Sequence, residues 1–61
     1  MEVKIYRKDM KTGEIKEITR EEALWRLRAV YSNTEQVLKE TNRNHHASTG
    51  WAEYWIEEAS Q

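Results

Sequence analysis

The chain has no cysteine, no proline and no phenylalanine, and only two glycines among its 61 residues. Without cysteine there is no disulfide to staple a small fold, and no thiolate to attack a substrate or hold zinc. Without proline, every backbone N–H is available for pairing. No hydrophobic run approaches the length of a bilayer span, and no apolar stretch follows the N-terminus. Neither membrane insertion nor export by a signal peptide is therefore expected. One-sided charge is missing too: ten Lys and Arg meet eleven Asp and Glu, for a net charge of -1. The length allows one domain, near the lower limit of what folds alone.

Leu, Ile and Val number only ten, and charged residues make up 34% of the chain. Both values lean towards disorder, but the high net charge that usually accompanies disorder is lacking. Three Trp and three Tyr supply large apolar area from few positions. The chain is read as folded, with aromatic rings thickening a thin core.

Residues 2–8 alternate, with Val3, Ile5 and Arg7 on one side and Lys4, Tyr6 and Lys8 on the other, as in a half-buried strand. Asp9 to Gly13 then reads as a three-residue hairpin loop closed by a bulge, with Gly13 at positive φ. The second strand runs from Glu14 to Ile18, completing a hairpin over 2–18. Ile15 and Ile18 cannot share a strand face, so Ile18 is assigned to the helix start. Thr19 and Glu22 match a capping box: the Thr19 hydroxyl accepts from the Glu22 N–H, and the Glu22 carboxylate reaches back.

A helix is expected over 20–31. Its wheel gathers Ala23, Leu24, Leu27, Val30 and Tyr31 into a stripe roughly 120° wide. Trp25 falls on the opposite side beside Ala29, flanked by Glu21, Glu22 and Arg28. A second helix over 34–41 starts at another capping pattern, Ser32 and Glu35. Residues 42–50 read as a polar loop. The element at 51–58 is rich in aromatic and β-branched residues after a glycine, which favours a strand, with a helix as the alternative. A third strand also supports a hairpin that is unstable alone. The expected class is α+β: an N-terminal β-hairpin, two short helices and a C-terminal strand in a single small domain.

Chemistry-bearing patterns are sparse. His45 and His46 are adjacent, and nothing in the spacing of Glu40, Glu53 and Glu57 completes a zinc site around them. Two solvated loop histidines is the simpler reading. Glu53, Glu57 and Glu58 read as the wet face of the tail. No phosphate-binding loop or nucleophile motif occurs. No catalytic residue, metal or cofactor is assigned, and an enzyme is not expected. Lys4, Lys8 and Lys16 could join Tyr6 on one hairpin face, but interleaved acids argue against nucleic acid. Residues 44–61 carry Glu53, Glu57 and Glu58 and no Lys or Arg.

The aromatics are the remaining signal. Tyr31 and one of Trp51 or Trp55 are expected in the core, which leaves the others to explain. Trp and Tyr concentrate in protein interfaces. The candidate interface residues are Trp25, Arg28, Ala29, Trp51, Tyr54 and Trp55. With neither disulfide nor metal to support so small a core, association is expected, and a homodimer through the Trp25 face follows.

From KIYRKDMKTGEIKEITREEALWRL to TGWAEYWIEE, the chain resembles the very small proteins encoded by tailed phages and prophages of Gram-positive bacteria. In these a hairpin is followed by a helix opened by T/S-x-E-E-A-L, a second short helix, and a polar segment ending in T-G-aromatic-A. The resemblance implies an accessory gene product of the anti-defence type, such as the Hachiman, Thoeris and CRISPR inhibitors. It implies a host or defence protein as partner and the host cytoplasm as location. It carries over no functional residue. The expected function is therefore a non-enzymatic protein-binding module, a phage inhibitor acting by surface occlusion. The alternative is a small nucleic-acid-binding or transcription-modulating phage protein.

Overall fold

A computed structural model describes residues 2–59 of the chain. The fold is α+β, with strands β1 (Glu2–Asp9), β2 (Ile15–Ile18), β3 (Ala47–Ser48) and β4 (Ala52–Ala59) and helices α1 (Arg20–Leu27) and α2 (Thr34–Lys39). The strands form one antiparallel sheet in the order β2-β1-β4-β3. The C-terminal element is thus a strand, and it lies beside β1 at the centre of the sheet rather than at its edge.

Register assigns the faces. Ile5 lies opposite both Ile18 and Ile56, and directly opposed residues share a face. Ile5, Tyr54, Ala47 and Ala52 pack with Ala23 and Leu27 of α1 and Leu38 of α2. Both helices therefore cover the face that carries Ile5. Ile18 belongs to β2 and still packs on this core, half-buried. Ile15, at the opposite phase, is exposed.

The hairpin between β1 and β2 closes one residue wider than expected. The Asp9 N–H donates to the Glu14 carbonyl at 2.8 Å, and Gly13 N–H to the Asp9 carbonyl at 2.7 Å. The loop thus spans four residues, 10–13, with Gly13 at φ 80°. The Asp9 carboxylate accepts from Lys11 N–H and Thr12 N–H at 2.7 and 3.0 Å and stiffens the turn.

At the start of α1, Thr19 Oγ1 accepts from the Glu22 N–H at 3.1 Å. The return half of the box is missing: Glu22 Oε2 instead accepts from Arg26 Nε at 3.0 Å, one turn on. The helix ends at Leu27, short of Tyr31. Tighter bonds follow, Ala29 N–H to Arg26 O and Val30 N–H to Leu27 O, which turn Val30 out to 50% exposure. The expected core stripe therefore loses Val30, while Tyr31 stays half-buried and its hydroxyl donates to the Ser48 carbonyl. At α2 the cap is Asn33 with no side-chain bond, so Ser32 does not form the expected capping box.

Residues 42–50 are more ordered than a loop. Asn42 and His45 exchange backbone bonds across a tight turn, β3 follows, and Gly50 and Trp51 link β3 to β4. Thr49 N–H donates to the Ala52 carbonyl, and Gly50 takes φ 92° while Trp51 does not turn positive. The glycine supplies the positive φ at the first linking position, the Ala52 N–H donates to Thr49 Oγ1, and Trp51 is left at the tip. Among the described residues, no helix is long and apolar enough to cross a membrane.

Candidate functional site

Two indoles stand out of the surface on the helix side. Trp25 is 65% exposed and Trp51 70% exposed, and both line a cleft of about 550 Å³. Helix α1 and the turn after it contribute Trp25, Arg26, Arg28 and Ala29; the β3–β4 hairpin contributes Thr49 and Trp51; the sheet contributes Arg7 and Tyr54. The geometry follows from two local facts. Trp25 lies on the side of α1 opposite Ala23 and Leu27, which are buried. Trp51 occupies the second position of a turn whose tip leans on the loop that follows β1, where the Met10 N–H donates to the Trp51 carbonyl at 3.0 Å.

The cleft is cationic. None of its lining residues is acidic, and three are arginines. Arg26 is committed to Glu22 and lies over the Trp25 ring, 5.6 Å from its centroid. Arg7 donates through Nε to the Tyr54 hydroxyl at 3.2 Å, and its Nη1 sits 3.9 Å from Asp9 Oδ2. Asp9 is held below the usual carboxylate range, first by the Thr12 and Lys11 N–H groups and then by the Arg7 charge. Arg28 is exposed and has no ion-pair or hydrogen-bond partner for its side chain among the described residues.

Five of the six candidate interface residues, Trp25, Arg28, Ala29, Trp51 and Tyr54, line this cleft. Trp55 does not. Register sets it opposite Tyr6 on the face away from the helices, and it is 5% exposed. Arg7, Arg26 and Thr49 are the cleft residues outside the candidate set. The signal for Arg7 was its phase: it alternates with Val3 and Ile5 on the core side of β1.

The other sheet face has its own structure. The His46 ring stacks on Trp55 with centroids 4.0 Å apart, and Tyr6 lies 5.9 Å from Trp55 on a neighbouring strand. His46 Nδ1 is 3.0 Å from Glu53 Oε1, and Nε2 is 2.8 Å from the Arg43 carbonyl oxygen. Trp55 Nε1–H donates to Glu57 Oε2 at 2.9 Å. Two expectations are corrected here. His46 is not a solvated loop residue, although His45 is exposed. Glu53 and Glu57 are not a wet face but half-buried acceptors that hold a histidine and an indole; Glu58 is exposed. Among the described residues, no group of three or more His, Asp or Glu side chains is arranged to hold a metal.

The same register disposes of the basic strip. Lys4 lies opposite Glu57 and Lys8 opposite Glu53, so each lysine of this face has an acidic residue across the ladder, although those carboxylates contact Arg43, Trp55 and His46. Lys16 lies opposite Arg7, on the other face from Tyr6. A second groove, about 480 Å³ between α2 and β1, is lined by charges of both signs, and Arg20 and Glu35 already approach within 3.6 Å there.

Comparison with protein-family models, with curated proteins and with solved structures finds no match to this chain.

Proposed function

We propose that the chain is a non-enzymatic protein-binding module that meets its partner through the cleft between Trp25 and Trp51. The observation that carries this reading is the pair of indoles, 65% and 70% exposed and facing one cavity. Leaving an indole in water forgoes about 2–3 kcal/mol of burial. In a domain with so thin a core that is a large concession, and a partner that covers both rings recovers it. Trp and Arg are also the residues most enriched at binding hot spots.

The biological setting rests on the sequence resemblance alone: a phage-encoded inhibitor that occludes the surface of a host or defence enzyme in the host cytoplasm. Nucleic acid is the weaker reading, because Lys4 and Lys8 face Glu57 and Glu53 instead of an open track for phosphates.

The test is affinity capture with wild type beside Trp25→Ala/Trp51→Ala, followed by assay of the captured protein with the chain added back. A protein held by wild type, lost by the double variant and inhibited on addition supports the reading. Steeply salt-dependent binding to single-stranded DNA, with no protein retained, overturns it. A second copy is the competing occupant, since the Trp25 face carries charges of both signs. Light scattering separates the two. A mass of two chains that Trp25→Glu reduces to one assigns the surface to a homodimer.

A further inference from the structure

We propose that the cleft takes an acidic peptide segment, with a carboxylate bound by Arg28 beside an apolar side chain held between Trp25 and Trp51. The inference rests on the reading that a protein partner occupies this cleft, and it names the chemistry of that partner.

An arginine already bonded to an acid offers little to a newcomer. Arg26 is spent on Glu22 at 3.0 Å, and Arg7 on Tyr54 and Asp9. Arg28 keeps its guanidinium without an ionic partner among the described residues. Glu22 and Asp9 are each turned to an arginine, and Glu21, one turn before Trp25, is not among the lining residues. An incoming carboxylate therefore meets one uncompensated guanidinium and no lining acid. A guanidinium fork matches a carboxylate in two parallel hydrogen bonds.

The indoles decide what must accompany the anion. A lone carboxylate leaves both rings wet. A peptide places an apolar side chain next to its acid and covers them. Bases can stack on indoles as well, but a polynucleotide needs cations along its backbone. Here only three of the ten basic residues line the cleft, two of them already paired, on a chain of net charge -1.

The experiment is selection of a random-peptide display library on the immobilised protein, followed by NMR of the indole N–H signals with a synthetic enriched peptide. The expected result is enrichment of Asp or Glu adjacent to aliphatic or aromatic residues, with shifts at Trp25 and Trp51 and not at Trp55. Arg28→Gln should weaken that peptide at least about tenfold. Changing its acid to the amide should cost the same factor in wild type and little more in Arg28→Gln. A backbone amide spectrum unchanged in Arg28→Gln establishes that the variant is folded, and Arg28→Lys should recover part of the affinity. Enriched peptides that shift both indoles without acidic enrichment overturn this inference and leave the protein-binding reading standing. Enriched peptides that shift neither indole overturn both. Tighter binding of a short oligothymidylate at the same indoles overturns the inference in favour of nucleic acid.

Discussion

The His46 imidazole lies almost flat on the Trp55 indole, with ring centroids 4.0 Å apart and planes 14° from parallel. This contact, with Tyr6 beside it, closes a small aromatic cluster on a sheet face that no helix covers. It explains how Trp55 reaches 5% exposure there. The ring is held at both ends by acceptors, Glu53 Oε1 and the Arg43 carbonyl. A neutral imidazole carries one N–H and can serve only one of them at a time.

His46→Ala should therefore uncover Trp55 and release the turn at residues 42–46. The expected cost is about 1–2 kcal/mol, from an aromatic contact and a hydrogen bond. In a domain of this size that lowers Tm by roughly 4–16 °C. His45→Ala, at an exposed position, should stay within about 0.5 kcal/mol of wild type. Thermal unfolding followed by circular dichroism distinguishes them, and equal curves for the two variants would remove the structural role given to His46.

Thr41 is the buried polar side chain that ties α2 to the sheet. Its Oγ1 donates to the Leu38 carbonyl at 2.6 Å and accepts from the Ile56 N–H at 3.1 Å, and the residue is 5% exposed. Thr41→Val keeps the volume and deletes both bonds, leaving a carbonyl and an N–H without that partner. The expected loss is about 1–3 kcal/mol. Thr41→Ser, which keeps the hydroxyl, should lose less. Urea midpoints at constant m-value provide the comparison, and a Val variant as stable as wild type would remove the role given to the hydroxyl.

Local chemistry was legible and long-range pairing was not. The strand alternation at 2–8, the glycine turn and the Thr19 cap each depend on residues within four positions of one another, and each appears in the fold. The strand character of the C-terminal element, expected over 51–58 and found over Ala52–Ala59, was legible from composition, but its place beside β1 was not. Nothing near Trp55 in sequence reveals that Tyr6 will lie opposite it or that His46 will cover it. The same holds for Trp51: it was expected to open the C-terminal element at 51–58, and the tight turn that sets it before β4, at the tip with Gly50, was not legible. Val30 fits the helical wheel and is exposed because α1 stops at Leu27, a boundary that periodicity alone does not mark. Five of the candidate residues line the cleft, each an aromatic, arginine or alanine that the expected core did not absorb, but that the helix face and the β3–β4 hairpin meet there was not legible.

The two capping patterns make a matched pair. Thr19→Ala removes a bond that forms, from Glu22 N–H at 3.1 Å, and should cost about 1 kcal/mol. Ser32→Ala removes a hydroxyl that caps nothing, since the N-cap of α2 is Asn33 and forms no side-chain bond, and should be close to neutral. Both fit the same S/T-x-x-E pattern, so sequence alone expects similar losses. Comparable destabilisation of the two variants in thermal melts would show that Ser32 caps α2 after all.

Asp9 gives the acid limb of stability a specific origin. Its pKa is lowered in the fold, chiefly by the Thr12 and Lys11 N–H groups, from an ordinary value of 3.8. Above that ordinary value the carboxylate is ionised in both states, and the stabilisation is fully present. As pH falls through it, the unfolded chain binds the proton first, and stability declines. Below the lowered folded value both states are protonated and the contribution is gone. Asp9→Asn keeps an oxygen for the two N–H groups but does not titrate. The difference in urea midpoint between wild type and Asp9→Asn should therefore be constant from about pH 7 to pH 5 and shrink in favour of the variant between about pH 4 and pH 2. Parallel curves over that range would mean that the turn does not distinguish the ionised carboxylate from an amide. The loss of the Asp9 charge would then have no consequence for the hairpin that seats Trp51 beside it.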